Sequence, residues 1–336
     1  MSLPPGKIPA DLLKDVIFKN LGAKRDEVVL GPAAGIDCAV INLGDKSLIV
    51  KTDPITGALE RIGWLAVNVN ANDVSTFGVE PAFFLSCMLL PENADRKAVE
   101  IISTQMDKAA KELGMAIIGG HSESTPGLRN PIVVGCAMGV TEKGQYVTAA
   151  GAKAGDRIVM TKTAGIEGTA ILASDRKEKL KKTLNPSVLK RAQEFFAKIS
   201  VTREALTAYR SGGVHAMHDP TEGGIAGGIH EIADASNLGF KIFEERIPVA
   251  QETLQICRVF NINPLYLIAS GSMLIAARME LAENILDNLR KKETPATMVG
   301  EFLSSPEKRI IVRKNGTEQE LERPVSDHLW AALAKR

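Results

Sequence analysis

The heptapeptide HDPTEGG at residues 218–224 constrains the fold most, because it has the composition of a helix start. Asp219 suits the N-cap, Pro220 suits the first helical position, and Glu222 falls where a capping box places its carboxylate. Isoleucines follow at helical spacing, at positions 225, 229 and 232. The pattern predicts a helix that begins at Asp219 and runs to about residue 236.

Two glycine pairs in this predicted helix, Gly223-Gly224 and Gly227-Gly228, each lower its stability. The cost is roughly 1 kcal/mol per glycine relative to alanine. Such glycines are better explained if another backbone or a phosphate group comes close. A helix N-terminus also offers N–H groups and a positive dipole end to an anion. Asp219 therefore has two interpretations at this point, a helix cap or a functional carboxylate.

A length of 336 residues predicts two domains, since single hydrophobic cores rarely grow that large. The alanine- and glycine-rich stretch at 149–155 is typical of a linker, so we place the domains at 1–150 and 151–336. The first domain alternates a hairpin, a helix, a strand, a helix and two strands. This order predicts a mixed α/β fold of the α+β type.

Two local predictions concern the second domain. Asn185 and Pro186 predict the start of one long helix over 187–210. Gly165 and Gly168 predict a turn before residue 169.

The composition excludes several classes of function. The net charge is +1, so there is no broad electrostatic case for nucleic acid or an anionic membrane. The first residues lack the apolar stretch of a secretory signal, and no apolar run reaches the length of a membrane span. The four cysteines, at 38, 87, 136 and 257, lack a metal-binding spacing. We therefore expect a soluble, cytoplasmic protein with reduced cysteines and neither nucleic-acid nor membrane partners.

Three acidic residues lie at predicted strand ends, turns or helix ends: Asp37, Asp53 and Asp73. Each alone could serve a turn or solvate a helix end. Together they can form a Mg²⁺ site, because Mg²⁺ takes one or two carboxylates together with phosphate oxygens. The helix that carries Asp73 also holds three asparagines, poor helix formers whose number indicates side-chain bonding. They are Asn68, Asn70 and Asn72.

The sequence GGHSE at 119–123 interrupts a predicted apolar strand that ends at Ile118. Paired glycines followed by polar residues favour a loop that approaches a ligand, or else a tight turn before Pro126. Neither the GxGxxG pattern nor a P-loop lysine pattern occurs in the sequence, so an ordinary nucleotide-binding fold is not expected.

Taken in order, these stretches resemble the aminoimidazole ribonucleotide synthetase (PurM-like) superfamily, and within it most of all the HypE family of hydrogenase-maturation factors. The ordered set is specific although each motif is short, and it extends from about residue 31 to 275. The matching segments are the loop at 31–40, Lys51-Thr52-Asp53, 69–81 with Asn72-Asp73, Gly119-Gly120-His121, 165–173 and 218–224.

The resemblance implies a two-domain PurM-like fold. Its N-terminal domain binds ATP and Mg²⁺ and forms the barrel-like core of a homodimer. The implied metal ligands are Asp37, Asp53, Asp73 and Asp219. The implied catalytic residues are Asp73, Asp219, His121 and Glu123. The implied nucleotide-binding residues are Gly35, Asp37, Lys51, Thr52, Asp53, Asn72, Gly119, Gly120, Gly165, Gly168, His218, Gly223 and Gly224.

The chemistry shared by this superfamily is ATP-dependent phosphorylation of an amide-type oxygen, which converts a poor leaving group into phosphate. For this chain it implies an enzyme of the dehydratase or ligase type that acts on a small-molecule or protein-bound carbamoyl-type substrate. Two alternatives stay open. One is a small-molecule kinase similar to thiamine-monophosphate kinase, and the other is a non-catalytic, nucleotide-binding assembly factor.

Three positions depart from the family pattern. Ile36-Asp37 stands where the family often has two adjacent acids, and His121 stands where it often has aspartate. HypE proteins end in a cysteine that carries the carbamoyl group, whereas this sequence ends in Lys335-Arg336 and its last cysteine is Cys257. The second departure bears on how many metal ions bind. The third predicts a reaction without that acceptor thiol.

Overall fold

The protein is described by a computed structural model that covers residues 6, 8, 10–33, 35–56 and 59–334. The described chain divides into two compact units. The N-terminal unit comprises residues 27–31 and 37–146, and the C-terminal unit comprises the remaining described residues. A short helix, α1 (Ala10–Asp15), belongs to the C-terminal unit. The functional domain ranges of 1–150 and 151–336 stay a prediction.

The N-terminal unit is an open six-stranded sheet with two helices, and its strand order is β1-β2-β3-β6-β4-β5. All neighbouring strands are antiparallel except β4 and β5, which are parallel. The elements are β1 (Val28–Leu30), β2 (Ala39–Leu43), β3 (Lys46–Ile55), α2 (Ile62–Thr76), β4 (Pro81–Leu90), α3 (Arg96–Leu113), β5 (Ala116–Ser124) and β6 (Ile132–Glu142). The mixed α/β class is confirmed, and within one chain this sheet is open.

Local sequence signals account for several of these elements. The β2–β3 hairpin turns at Gly44-Asp45, a pair typical of hairpin turns, and Gly44 adopts a positive φ of 66°. Helix α3 begins after Asp95, whose side chain accepts a hydrogen bond from the Ala98 N–H at 2.9 Å. It ends at Gly114 in the left-handed conformation, so sequence signals are present at both ends of this helix.

Helix α2 lies between the sheet and α3 and is buried on nearly every side. All of its residues except Trp64 are buried, including its three asparagines and Asp73. A Cβ at Gly63 would lie 2.4 Å from the carbonyl oxygen of Ile102, so glycine allows α2 and α3 to approach closely. The simple interpretation of Asp73 as a solvated helix-end residue is therefore wrong.

The segment at 119–123 is part of strand β5, not a loop or turn as predicted from its glycines. Gly119 and Gly120 adopt φ values of 147° and 150°, which favour glycine. A Cβ at Gly120 would meet the backbone of Ser86 on β4, and the β4–β5 register shifts beside this pair. The glycines are thus required by a β-bulge and a close strand approach.

The C-terminal unit is built on a seven-stranded sheet with the order β13-β12-β9-β11-β7-β10-β8. Its neighbours are antiparallel except β9 and β12. The elements are β7 (Arg157–Thr161), α4 (Ile166–Asp175), α5 (Lys177–Leu180), α6 (Pro186–Gln193), α7 (Thr202–Arg210), β8 (Val214–His218), α8 (Gly224–Ala235), β9 (Gly239–Phe243), α9 (Gln251–Phe260), β10 (Leu274–Ala277), α10 (Ala282–Lys291), β11 (Ala296–Leu303), β12 (Arg309–Val312), β13 (Glu318–Glu320) and α11 (His328–Ala334).

This second sheet has a hydrophobic core on each face. Along β7, Ile158 and Met160 join the core that contains Ile229 of α8. The residue between them, Val159, joins the core that contains Ala205 of α7 and Ile285 of α10. The alternation follows the two-residue period of a strand and makes this unit a three-layer structure. None of the helices in the described part of the chain combines the length and the apolar character that a membrane span requires.

The two local predictions made for the second domain are wrong. The long helix over 187–210 is divided into α6 and α7. Between them the Lys162 ammonium donates to the carbonyl oxygens of Lys198 (2.9 Å) and Ser200 (2.7 Å). An ion pair between Lys162 and Glu204 (2.6 Å) also holds the start of α7. The turn predicted at Gly165 and Gly168 is the N-cap and first turn of α4.

Candidate functional site: an acid–lysine cluster and a glycine turn

Three acidic side chains of the N-terminal unit converge on one lysine. The Nζ atom of Lys51 lies 3.0 Å from Asp73 Oδ2, 3.3 Å from Asp53 Oδ2 and 3.8 Å from Asp37 Oδ1. Lys51 and Asp53 are two residues apart on β3 and share a face of the sheet, Asp73 reaches them from α2, and Asp37 precedes β2. We name these four residues the acid–lysine cluster.

Burial and charge act in opposite directions on Lys51. Its side chain is 13% exposed, and that of Asp73 is 2% exposed. Burial of the ammonium lowers the pKa of Lys51, but the charges of Asp73, Asp37 and Asp53 together outweigh it and hold that pKa well above its usual value. Lys51 is therefore a permanent cation that partly neutralises the three carboxylates.

Asn70 fixes the position of Asp53 from the helix side. Its Oδ1 accepts a hydrogen bond from the Asp53 N–H at 2.7 Å, and its Nδ2 donates to the Asp53 carbonyl oxygen at 3.2 Å and to the Ala66 carbonyl oxygen at 2.8 Å. The asparagine content of α2 predicted side-chain bonding, but it did not single out this residue for the site. Asn72 is fully buried next to Asp73 in the same helix.

Gly135 of β6 makes room for this contact. It faces Asp53 across the β3–β6 pair, and a Cβ there would lie 2.3 Å from Asn70 Nδ2. Its carbonyl oxygen also accepts a hydrogen bond from Thr52 Oγ1 at 2.7 Å. Gly135 was not predicted, and its role follows only from the pairing of β3 with β6.

The donor set of the acid–lysine cluster fits the Mg²⁺ ion that the resemblance implies. Carboxylate oxygens from Asp37, Asp53 and Asp73 surround one cationic group, and Mg²⁺ prefers oxygen ligands of this kind. Three carboxylates face one ammonium, so the cluster keeps a net negative charge that can bind a further cation. Its ligands would come from a strand, a helix and the residue that leads into β2.

His121 and Glu123 do not join this cluster within one chain. They lie on β5, and β6 and β4 separate that strand from β3. Three strand spacings place them roughly 14 Å from Asp53. The two side chains are exposed and bond to each other at 3.2 Å (His121 Nε2 to Glu123 Oε2). Hydrogen bonds from Thr125 and His121 lower the pKa of Glu123. Their catalytic role stays a prediction.

The second predicted site segment, residues 218–224, belongs to the C-terminal unit. Helix α8 begins at Gly224, and its N-cap is Gly223 in the left-handed conformation (φ 85°). Asp219, Pro220 and Glu222 therefore precede the helix, and the predicted capping box is wrong. The helix ends at residue 235, close to the predicted end.

The glycine turn, Gly223 and Gly224, is enclosed by the protein's own chain. A Cβ at Gly224 would lie 2.6 Å and 2.7 Å from the carbonyl oxygens of Leu267 and Leu265, and one at Gly223 would lie 2.8 Å from Pro324 Cγ. The sequence predicted that a backbone or a phosphate group approaches these glycines. The close approach at Gly224 is that of another backbone.

His218 ends β8 and Asp219 follows it, and both are fully buried, at 1% and 0% exposed. The Nε2 atom of His218 lies 2.6 Å from Glu231 Oε2 of α8. A Cβ at Gly35 would lie 3.1 Å from the carbonyl oxygen of the same glutamate, so Gly35 packs on α8 in the C-terminal unit. The roles predicted for these residues with ATP and metal stay predictions.

Gly165 and Gly168 have a packing role in the structure. A Cβ at Gly168 would lie 2.4 Å from the Leu267 side chain, and one at Gly165 would lie 3.2 Å from it. Gly165 also has a positive φ of 66° as the N-cap of α4. Helix α4 therefore packs tightly on the segment that contains Leu267, and a nucleotide contact of either glycine stays a prediction.

Known proteins with detectable sequence similarity align over most of the chain. A protein of Methanocaldococcus jannaschii that is named for hydrogenase expression and formation is 28% identical over 335 residues, covering 96% of this chain and 95% of that protein. The carbamoyl dehydratase HypE of Bradyrhizobium diazoefficiens is 28% identical over 265 residues, covering 77% of this chain and 74% of the relative.

The fold is shared with a solved structure of the hydrogenase maturation protein HypE in complex with ATP. The TM-score is 0.73 at 23% identity, and the match covers 98% of both chains. The model of the AIR synthase related protein N-terminal domain matches residues 35–141, and that of the C-terminal domain matches residues 153–313. This chain therefore belongs to the AIR synthase related proteins and contains both of their domains.

Proposed function

We propose that this protein binds ATP with Mg²⁺ and uses it to phosphorylate an amide-type oxygen. The observation that carries the proposal is the acid–lysine cluster, in which Lys51 is held by Asp37, Asp53 and Asp73 at 3.0–3.8 Å. Carboxylates that hold a divalent cation beside a permanent lysine cation are a common arrangement for binding and polarising phosphate groups. Family membership supports the same function.

The names of the relatives support a carbamoyl-type substrate. The Bradyrhizobium relative is a carbamoyl dehydratase, and a dehydratase removes the elements of water from its substrate. We propose the same reaction class here, on a small-molecule or protein-bound carbamoyl group. The amide oxygen bonds to the γ-phosphorus of ATP, the bond to ADP breaks, and one amide proton leaves. Phosphate then departs with the oxygen, the second proton leaves, and a carbon–nitrogen triple bond remains.

Within this scheme, each group of the cluster has a separate role. Asp37, Asp53 and Asp73 hold the cation, and Asn70 keeps Asp53 in place. Lys51 stabilises negative charge on the transferred phosphoryl oxygens, an electrostatic contribution that depends on its fixed position. When bound, Mg²⁺-ATP supplies the phosphoryl group and its polarisation. Asp219 and His218 of the C-terminal unit are proposed to assist with nucleotide and metal.

Titration calorimetry with ATP, in Mg²⁺ and in a chelator, tests nucleotide binding. We expect Mg²⁺ to strengthen ATP binding at least about tenfold, because the cation links the cluster to the phosphates. Product analysis with a panel of amide and thioamide substrates should then find ADP and free phosphate. Equal ATP affinity in both conditions would contradict the site, and a stable phosphorylated product would favour the kinase reaction instead.

We also propose that the protein is a homodimer that pairs the uncovered faces of its N-terminal sheets. Helices α2 and α3 cover one face, whereas apolar residues on the other stay partly exposed, among them Phe83 (39%) and Val140 (48%). A second copy would cover this face and complete the barrel-like core that the family resemblance implies.

Light scattering of wild type at micromolar concentration should give the mass of a dimer. Met138→Lys places a charge on the uncovered face, opposite Phe83 and Val50, and should yield monomers. Val99→Lys is the matched control, since Val99 is an exposed apolar residue of α3. A monomeric wild type, or a Met138→Lys variant that remains dimeric, would contradict the proposal.

A further inference from the structure

The glycine turn carries the N-terminus of α8, yet its N-cap residue has no side chain to accept a hydrogen bond. A carboxylate from a distant part of the chain does so instead. Asp327 Oδ2 accepts a hydrogen bond from the Gly223 N–H at 2.7 Å, across 104 residues of sequence. An acidic group at this end of a helix is favoured both as a hydrogen-bond acceptor and by the helix dipole.

Asp327 is itself held rigidly. It is 2% exposed, and its second oxygen, Oδ1, accepts a hydrogen bond from the Leu329 N–H at 2.7 Å. Each carboxylate oxygen thus faces a backbone N–H group, so an asparagine, with a single oxygen, would lose at least one of these bonds. Pro324 packs against Gly223 from the same stretch of chain.

Residues 321–329, which include Asp327, are held by hydrogen bonds at several positions. We name this stretch the C-terminal segment. The neutral His230 of α8, whose pKa is lowered by burial to about 4, donates from Nε2 to the Leu321 carbonyl oxygen at 2.9 Å. Tyr266 donates to the Glu322 carbonyl oxygen at 3.1 Å. His328 accepts from the Asn263 N–H at 3.0 Å.

These contacts hold the glycine turn from two sides. The C-terminal segment bonds to Gly223 and also to the stretch around residues 263–266, which continues to the backbone that abuts Gly224. The segment lies beyond residues 153–313, the range matched by the family's C-terminal domain.

We propose that Asp327 is a positioning residue for nucleotide binding: its carboxylate sets the conformation of the glycine turn and of the His218-Asp219 pair that precedes it. This inference rests on the proposed function, in which that pair assists with nucleotide and metal. Asp327 acts through Gly223 and does not itself touch the nucleotide.

The electrostatic state of Asp327 supports this role. Burial raises its pKa to about 6, against hydrogen bonds from the backbone of Leu329, Gly223 and Ile268, and the charge of Glu222 raises it further. A carboxyl whose folded pKa is raised favours folding below its unfolded pKa and loses that stabilisation as pH rises through 6. At neutral pH Asp327 is therefore ionised, the form whose two oxygens both accept backbone hydrogen bonds, although its burial costs some stability.

The test compares Asp327→Asn and Asp327→Ala with Glu322→Gln, which removes an exposed carboxylate from the same segment. We expect the dissociation constant and KM for Mg²⁺-ATP to rise about tenfold in Asp327→Asn, from one lost charge-assisted hydrogen bond, and more in Asp327→Ala. The kcat at saturating ATP should change less than about threefold, as expected for a residue that acts on binding. The melting temperature of Asp327→Asn at pH 7 should stay within a few degrees of wild type.

The possible outcomes separate the inference from the proposed function. A wild type that does not bind Mg²⁺-ATP would overturn both. Wild-type binding that Asp327→Asn leaves unchanged would overturn the inference alone, as would an equal loss in Glu322→Gln. Should Asp327→Ala fail to fold, Asp327→Asn decides the question, because it keeps the size of the side chain and at least one of its backbone hydrogen bonds.

Discussion

Replacing Asp73 by asparagine is expected to lower ATP turnover by at least about a hundredfold, the scale of removing one preorganised electrostatic group from an active site. Asp73 is the most buried carboxylate of the acid–lysine cluster and makes the shortest of its three contacts with Lys51, at 3.0 Å. Asparagine keeps the shape of the side chain but lacks its charge. Steady-state phosphate release from ATP measures the effect.

The fold should survive this change, because Lys51 keeps Asp37 and Asp53 as partners. The matched control is Asp45→Asn, which removes an exposed aspartate from the β2–β3 turn of the same unit. Circular dichroism melts of both variants separate a catalytic loss from unfolding. Turnover at the wild-type level in Asp73→Asn would leave that carboxylate without a role in the reaction.

Lys51→Met is expected to have the largest effect on stability, lowering the free energy of unfolding by about 3–5 kcal/mol without divalent metal. The substitution leaves three carboxylates close together without their shared cation. The contribution of Lys51 is fully present below the pKa of an unfolded lysine and is lost only as pH rises through its higher folded pKa. Neutral pH lies below both of these pKa values. Denaturant-induced unfolding at pH 7 should therefore show the full loss of stability.

The effect of Mg²⁺ on stability distinguishes the loss of the shared cation from a general disruption of the core. Mg²⁺ should raise the melting temperature of Lys51→Met more than that of wild type, because a bound cation stabilises the state whose carboxylates lack a counter-charge. Lys46→Met is the control, since Lys46 lies on the same strand but is 44% exposed and pairs with the exposed Glu142. A Lys51→Met variant as stable as Lys46→Met, or one indifferent to Mg²⁺, would show that the carboxylates do not act together.

Local patterns predicted the parts of this fold that local interactions determine. The α3 helix has an N-cap, an apolar stripe and a C-terminal glycine within one stretch, so both of its ends could be predicted. The start of α8 could not be predicted in the same way. The carboxylate that bonds its first turn is Asp327, which lies 104 residues away, while nearby Asp219 has the right type but does not cap the helix.

The candidate site, too, could be predicted only where local sequence patterns determine it. Its three aspartates could be found because acids beside strands and glycine loops are conspicuous in sequence. The position of Lys51 at their centre depends on how α2 crosses β3, and the importance of Gly135 depends on the register between β3 and β6. Neither of these relations can be predicted from spacing along the sequence, because both involve residues that are far apart in the chain. The glycines at 119–120 led to the wrong prediction of a loop for a related reason, since a β-bulge needs glycine as much as a loop does.

The contact between Asn70 and Gly135 has a consequence for how this chain can evolve. A methyl group at position 135 would lie 2.3 Å from the amide nitrogen that holds Asp53, so the two positions cannot change independently. Homologues with a larger residue at 135 should also have lost the asparagine at 70, and should fix the strand at position 53 by another group. Residues 53, 70 and 135 would then be inherited as one unit, although they lie on a strand, a helix and a second strand.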